Sequence, residues 1–178
     1  MKILTLLRHA KSGWDDPVSR DFDRPLNKRG RKAARVVGRA MRDEGLAFDA
    51  IIASPAVRVI ETLRDVGDGY GHALEPTQDP ELYLASPAVL LERIHHVDDR
   101  VERLLVVGHN PGLEQLALQL TGGEENGLRQ EVEVKYPTAT LAEIRFDVDR
   151  WADVAAAGGT LTRFIRPRDL DPELGPEN

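Results

Sequence analysis

Ile3-Leu4-Thr5-Leu6-Leu7, followed at once by Arg8-His9, is the stretch from which the fold is read. Its apolar side chains fall on both faces of an extended chain, not on alternate positions. Strands of this kind occur where helices cover both sides of a parallel sheet. The rest of the chain agrees, because strand-like and helix-like patterns alternate along it. Residues 10–26 form a polar loop with Gly13, Pro17 and Pro25. A helix is expected over about 27–46, where Ala33, Val36, Val37, Ala40 and Met41 recur at three- and four-residue spacing. Residues 49–53 read as a second strand. Ser54-Pro55 then reads as an N-cap with a first-turn proline. It opens a helix to about residue 65 that Gly67, Gly69 and Gly71 end. A short strand at 72–77, a helix at 87–97 and a strand at 103–107 follow. Asn110-Pro111 opens a helix to about residue 120, and 140–146 and 161–165 read as closing strands. The expectation is an α/β fold, a three-layer α/β/α sandwich on a mostly parallel central sheet. One domain occupies residues 1–168. Residues 169–178, with four acidic side chains and no basic one, are expected to be a mobile tail.

The chain has 178 residues, with 24 basic and 30 acidic side chains, a formal net charge of −6 and no cysteine. The missing cysteine excludes disulfides, Cys-ligated zinc, iron–sulfur clusters and a cysteine nucleophile. The net charge argues against nucleic acid as a partner. The apolar run at the N-terminus stops at Arg8, too short for a signal-peptide core or a membrane helix, so a cytoplasmic protein without membrane contact is expected. The average charge hides a local bias: residues 8–42 hold eleven basic side chains against four acidic ones.

Phosphate-loop, dinucleotide, nucleophile-elbow and zinc-protease motifs are absent. The chemistry-bearing residues stand instead at strand ends. Arg8-His9 ends the first strand. Arg58 lies one turn into the helix after the second. Gly108-His109-Asn110-Pro111 follows the strand at 103–107. In open α/β sheets, ligands bind outside the carboxyl ends of the strands. Two Arg, two His and two helix N-termini at one rim suit an anion. A metal site is the competing reading of the paired His; the two cations oppose it, and these motifs hold no carboxylate. No metal or cofactor is expected.

Leu7-Arg8-His9-Ala10-Lys11-Ser12 resembles the R-H-G/A signature of the histidine phosphatase superfamily, also called phosphoglycerate mutase-like. Ser54-Pro55-Ala56-Val57-Arg58-Val59-Ile60-Glu61-Thr62 is similar to its S-P-x-x-R-x-x-x-T motif. Val107-Gly108-His109-Asn110-Pro111 is similar to its third motif. Residues 21–30, residues 135–139 and Trp151 resemble the SixA-type branch. The resemblance covers residues 2–168. It implies a phosphatase in which His9 is the nucleophile, forming a phosphohistidine intermediate, while Arg8, Arg58 and His109 clamp the phosphoryl oxygens. A backbone carbonyl is expected on the other ring nitrogen of His9. The resemblance also suggests Glu81 as the general acid, with Asp79, Asp15 and Asp16 as competitors and a solvated loop carboxylate as the alternative. Ser12 and Asn27 are further candidates for phosphate contact, Asn27 also reading as a plain N-cap. His72, His95 and His96 read as structural or surface residues. The basic side chains between Lys28 and Arg42 read as a solvated face or a docking stripe for an acidic partner. The short chain leaves the pocket open to a protein surface, and a leaving imidazole does not need an acid. Both favour phosphohistidine in a phosphorylated protein as substrate. Small phosphomonoesters or pyrophosphates, and a phosphate-binding module without catalysis, are the alternatives.

Overall fold

The structure is a computed structural model that describes residues 1–13, 20–122 and 127–176. Strand β1 (Lys2–Arg8) lies inside the sheet, between β4 (Arg103–Gly108), parallel to it, and β5 (Leu141–Phe146), antiparallel. β2 (Ala50–Ala53) continues the parallel part, with the two-residue β3 (Thr77–Gln78) outside it. β6 (Gly159–Ile165) closes the far edge antiparallel to β5. Among the described residues the sheet has six strands in the order β3-β2-β4-β1-β5-β6. The α/β expectation from residues 3–7 therefore holds, with a mostly parallel centre.

The two-faced apolar pattern has a direct cause. Leu4 and Leu6 of β1, with Leu104 and Val106 of β4, pack under α3 (Pro87–His95), α4 (Gly112–Leu120) and α5 (Gly127–Val134). Leu7, with Leu105 and Val107, faces the opposite layer, α1 (Lys28–Asp43) and α2 (Val57–Tyr70). Burial of this much apolar surface on both sides is the main stabilising term. No helix among the described residues is long and apolar enough to cross a membrane.

Several boundaries differ from the sequence reading. α2 runs through Gly67 and Gly69 to Tyr70, and of the three glycines only Gly71, at φ 102°, ends it. The glycines serve packing. A Cβ at Gly69 would lie 2.1 Å from the Arg35 carbonyl oxygen, and one at Gly38 would lie 2.1 Å from that of Val66. The backbones of α1 and α2 touch there. Gly69→Ala is expected to destabilise by about 1–3 kcal/mol or more, since helix backbone cannot yield as a side-chain tip does. Denaturant unfolding measures this, and an unchanged midpoint would contradict it. The expected strand at 72–77 shrinks to β3, and α5 was not legible from the pattern.

The described part of the tail, residues 169–176, carries short regular elements. α6 (Pro167–Leu170) crosses the expected boundary at residue 168, and a 3-10 turn (Pro172–Leu174) follows it, both against α1. Lys32 Nζ lies 2.7 Å from Glu173 and 3.4 Å from Asp171, and Arg29 donates to the Gly175 carbonyl. The acidic tail thus partners part of the basic helix face.

Candidate active site

The sheet register brings the three motifs together. Arg8 pairs with Gly108 across β1 and β4, and Ala53 with Val107 across β2 and β4. The ladder continues one step past the strand ends. The His9 N–H donates to the Gly108 carbonyl at 3.1 Å, and the Ser54 N–H to that of Val107 at 3.1 Å. His9, His109 and Ser54 therefore stand side by side on one rim. The imidazole centroids of His9 and His109 are 5.4 Å apart.

The His9 ring is fixed from behind. Its Nδ1 is 2.7 Å from the Ala10 carbonyl oxygen, which only accepts, so Nδ1 carries the proton and Nε2 keeps its lone pair. This is the carbonyl that the sequence reading looked for. Ala10 is held in turn. Its N–H donates to Thr62 Oγ1 at 2.8 Å, and that hydroxyl donates to the Arg58 carbonyl at 2.6 Å. One threonine thus ties the loop carrying the nucleophile candidate to the helix carrying Arg58. Thr62→Val leaves the buried Ala10 N–H without a partner, at a cost of about 1–3 kcal/mol. Thermal unfolding should show the loss, and Thr62→Ser, which keeps the hydroxyl, should restore most of it.

Arg58 is buried, 2% exposed. It donates to the Asp21 carbonyl at 2.9 Å and to Asp21 Oδ2 at 3.1 Å, and its second terminal nitrogen is 3.3 Å from His109 Nδ1. Because that donor occupies Nδ1, His109 presents Nε2–H to Ser54 Oγ at 2.8 Å. Arg8 donates to the Tyr136 carbonyl at 2.9 Å. The Nε atoms of both Arg8 and Arg58 are buried without a hydrogen-bond partner. Buried unsatisfied donors are uncommon, and two on neighbouring guanidinium groups suit a bound oxyanion.

Burial, followed by the positive charges of Arg58, His109 and Arg8, pushes the His9 pKa down to about 3, against the pull of its bond to Ala10. Burial and then Arg58 push His109 down to about 4. Both rings stay neutral near pH 7, so Nε2 of His9 is available as a nucleophile. In an NMR titration the ring protons of His9 and His109 should hold steady between about pH 5 and pH 8. A midpoint for His9 at about 6.5 would contradict this. The linked stability follows in sign. The unfolded chain takes up these protons at about 6.5 and the folded one only near the depressed values, so stability is full above that pH and declines as pH falls toward 4.

The other sequence candidates lie elsewhere. Glu81 is exposed in a 3-10 turn (Pro80–Leu82), and no described hydrogen bond or ion pair joins its carboxylate to the rim. Asp79 caps that turn and pairs with Arg93 at 2.6 Å. Asp15 and Asp16 lie outside the described residues. Ser12 Oγ accepts from Arg24 at 2.7 Å, and Asn27 caps α1 by accepting from the Gly30 N–H at 2.8 Å. Neither has a described contact with His9, Arg58 or His109. His95 and His96 bond to the carbonyls of Val154 and Glu92. Among the described residues, no group of three or more His, Cys, Asp or Glu side chains is placed to hold a metal ion.

Two residues join the site unannounced. Tyr83 donates to Asp21 Oδ2 at 2.5 Å and stands edge-on to His109, with centroids 5.4 Å apart. The hydrogen bond from Tyr83, with the charge of Arg58 and the bond from Arg24, holds Asp21 down at about 2. Ser54, read as an N-cap, instead anchors His109, and Ala56 takes the N-cap position of α2. Spacing offered one usable signal: Thr62, four residues after Arg58, shares its helix face. Nothing local linked Asp21 or Tyr83 to the rim.

Known proteins are similar to this chain in sequence and in fold. The sequence profile of the histidine phosphatase superfamily, branch 1, covers residues 4–83. An uncharacterised protein of Mycobacterium tuberculosis is 36% identical over 165 residues, spanning 91% of this chain and all of its own. The structure of a candidate phosphohistidine phosphatase SixA from Nakamurella multipartitia aligns with a TM-score of 0.79 at 28% identity, over 93% of this chain and 96% of that one. A second candidate SixA, from Agrobacterium tumefaciens, aligns with a TM-score of 0.77 at 28% identity, over 93% and 98%. With its strand-end motifs, its rim and these relatives in agreement, the chain belongs to the histidine phosphatase superfamily, in its SixA-type branch.

Proposed function

We propose that this protein is a phosphatase that uses His9 as nucleophile and acts on phosphohistidine in proteins. The observation that carries the reading is the Nδ1 bond of His9 to the Ala10 carbonyl, which leaves Nε2 unprotonated between Arg8, Arg58 and His109. In the first step Nε2 attacks phosphorus and the bond from phosphorus to the substrate's ring nitrogen breaks. The substrate's ring leaves as neutral imidazole, because its other nitrogen has taken a proton from solvent before the bond breaks. His9 becomes a phospho-imidazolium whose Nδ1–H, held by the Ala10 carbonyl, bears the positive charge. In the second step water attacks phosphorus and the bond to Nε2 breaks. Neutral His9 and inorganic phosphate result, and the proton from water passes to phosphate.

Arg8 and Arg58 offer the charge that the phosphoryl oxygens need in the transition state. When such an oxygen takes the Arg58 terminal nitrogen, His109 Nδ1 loses that donor. The nearby dianion then raises the proton affinity of His109, and a protonated His109 completes the clamp.

The substrate class follows from the acid. An alkoxide leaving group requires a proton in the transition state, whereas a leaving imidazole has a pKa of about 6.5. Among the described residues, the carboxylate bonded to Arg58 on the rim is Asp21, which is held at about 2 and is ionised near pH 7, so it has no proton to give. Phosphohistidine tolerates that, as do aryl esters with a good leaving group, and phosphomonoesters of ordinary alcohols do not. The test supplies a phosphohistidine-loaded carrier protein and a panel of small phosphate esters to the protein. Faster release from phosphohistidine is expected. Faster turnover of small esters would move the substrate to that class, and binding without turnover would make the protein a phosphate-binding module.

A further inference from the structure

Beside the catalytic rim lies a cleft of about 400 Å³ between α1, the segment 135–138 and the C-terminal segment folded against α1. Arg8, Lys11, Arg29, Lys135, Arg166 and Arg168 line it, and no carboxylate does. Arg166 is already paired, 2.9 Å from Asp169 and 3.4 Å from Glu131. Lys135 and Arg168 make no ion pair among the described residues. Lys135 is exposed and Arg168 half-buried, so both are open to a partner. Arg8 belongs both to this cleft and to the rim beside His9. Whatever fills the cleft therefore adjoins the reacting phosphoryl group.

We propose that this cleft is a docking subsite for an acidic peptide segment of the phosphorylated protein substrate; the proposal rests on the phosphohistidine reading above. Its composition selects a peptide over a compact anion. The cations come from separate segments, and the apolar surfaces of Ala33, Pro137, Pro167 and Leu174 lie among them. A single phosphate prefers convergent donors. A chain that mixes carboxylates with apolar side chains matches both surfaces at once. Of the described acidic residues of the tail, Asp171 and Glu173 face Lys32 and Asp169 pairs with Arg166, so they leave Lys135 and Arg168 open. The tail builds one wall. Complementary charge of this kind raises the encounter rate and selects partners more than it adds affinity, and salt weakens it.

The test uses two phosphohistidine peptides, alike except that the residues flanking the phosphohistidine on both sides are Glu in one and Gln in the other. At low ionic strength the wild-type protein should show a KM about tenfold lower for the Glu peptide, the sum of two or three exposed ion pairs. Raising the salt should shrink the difference. The double variant Lys135→Gln, Arg168→Gln should lose the preference and keep its rate on para-nitrophenyl phosphate. Equal KM values in the wild type, or a preference that survives in the double variant, would overturn the docking subsite and leave the phosphohistidine reading standing. Hydrolysis of para-nitrophenyl phosphate with neither peptide turned over would overturn both. The wild-type comparison decides even where the variant is impaired on every substrate.

Discussion

His9→Asn lowers phosphate release by at least about 10³-fold and leaves the fold in place. The loss is large because Asn has no ring nitrogen with a free lone pair to attack phosphorus. The fold survives because the Asn amide can still donate near the Ala10 carbonyl that His9 Nδ1 occupies. His9 is 8% exposed at a strand end and is not part of either apolar core. The variant also lacks one group that is neutral when folded and protonated when unfolded at mildly acid pH. Its stability should therefore fall less steeply below about pH 6.5 than that of the wild type. Steady-state kinetics beside thermal unfolding at two pH values checks both parts. Residual activity within tenfold of wild type would remove His9 from the chemistry.

Arg58→Ala is the second large effect. The rate should fall about 10²–10³-fold, the usual result of deleting one donor aimed at developing charge. Three further consequences follow from its contacts. Asp21 loses its ion pair at 3.1 Å, His109 Nδ1 loses its donor at 3.3 Å, and a buried space opens on the rim. Without the neighbouring positive charge, the His109 pKa should rise from about 4 toward the ordinary histidine value, which the NMR titration reads directly. Arg58→Lys keeps the charge and loses the planar fork, so it should recover only part of the rate. An Arg58→Ala protein with wild-type kcat and KM would show that the guanidinium does not hold the phosphoryl group.

The two-faced apolar run at residues 3–7 was legible because burial on both sides of a parallel sheet leaves that imprint on one strand. The rim was legible for a related reason. Arg8 ends β1, His9 and His109 come directly after β1 and β4, Arg58 opens the helix after β2, and parallel register aligns these strand ends. Contacts between distant segments left no such trace. Asp21 meets Arg58 and Tyr83 across 37 and 62 residues, and neither spacing is periodic. Glu81 reads as one candidate acid from its segment, or as a solvated loop carboxylate; Tyr83, two residues on, is the side chain of that segment that contacts Asp21 and His109. Ser54 carries an N-cap residue type, yet its hydroxyl faces His109 because parallel pairing sets β2 beside β4. Gly67 and Gly69 looked like stops because glycine weakens helices; Gly69 lies instead where α2 meets the backbone of α1, and Gly67 where the segment 72–74 passes close by. The tail's composition is that of a mobile segment, and nothing in it announces the contacts that Asp171, Glu173 and Gly175 make with Lys32 and Arg29 on α1.

The central claim is that phosphorus passes through His9. Mixing the protein with a ³²P-labelled substrate, quenching in base within the first turnovers and mapping the labelled peptide tests it most directly. The account predicts an acid-labile, base-stable label on the peptide containing His9. A label on another residue, or turnover with no labelled protein and inversion at a chiral phosphorus, would contradict it.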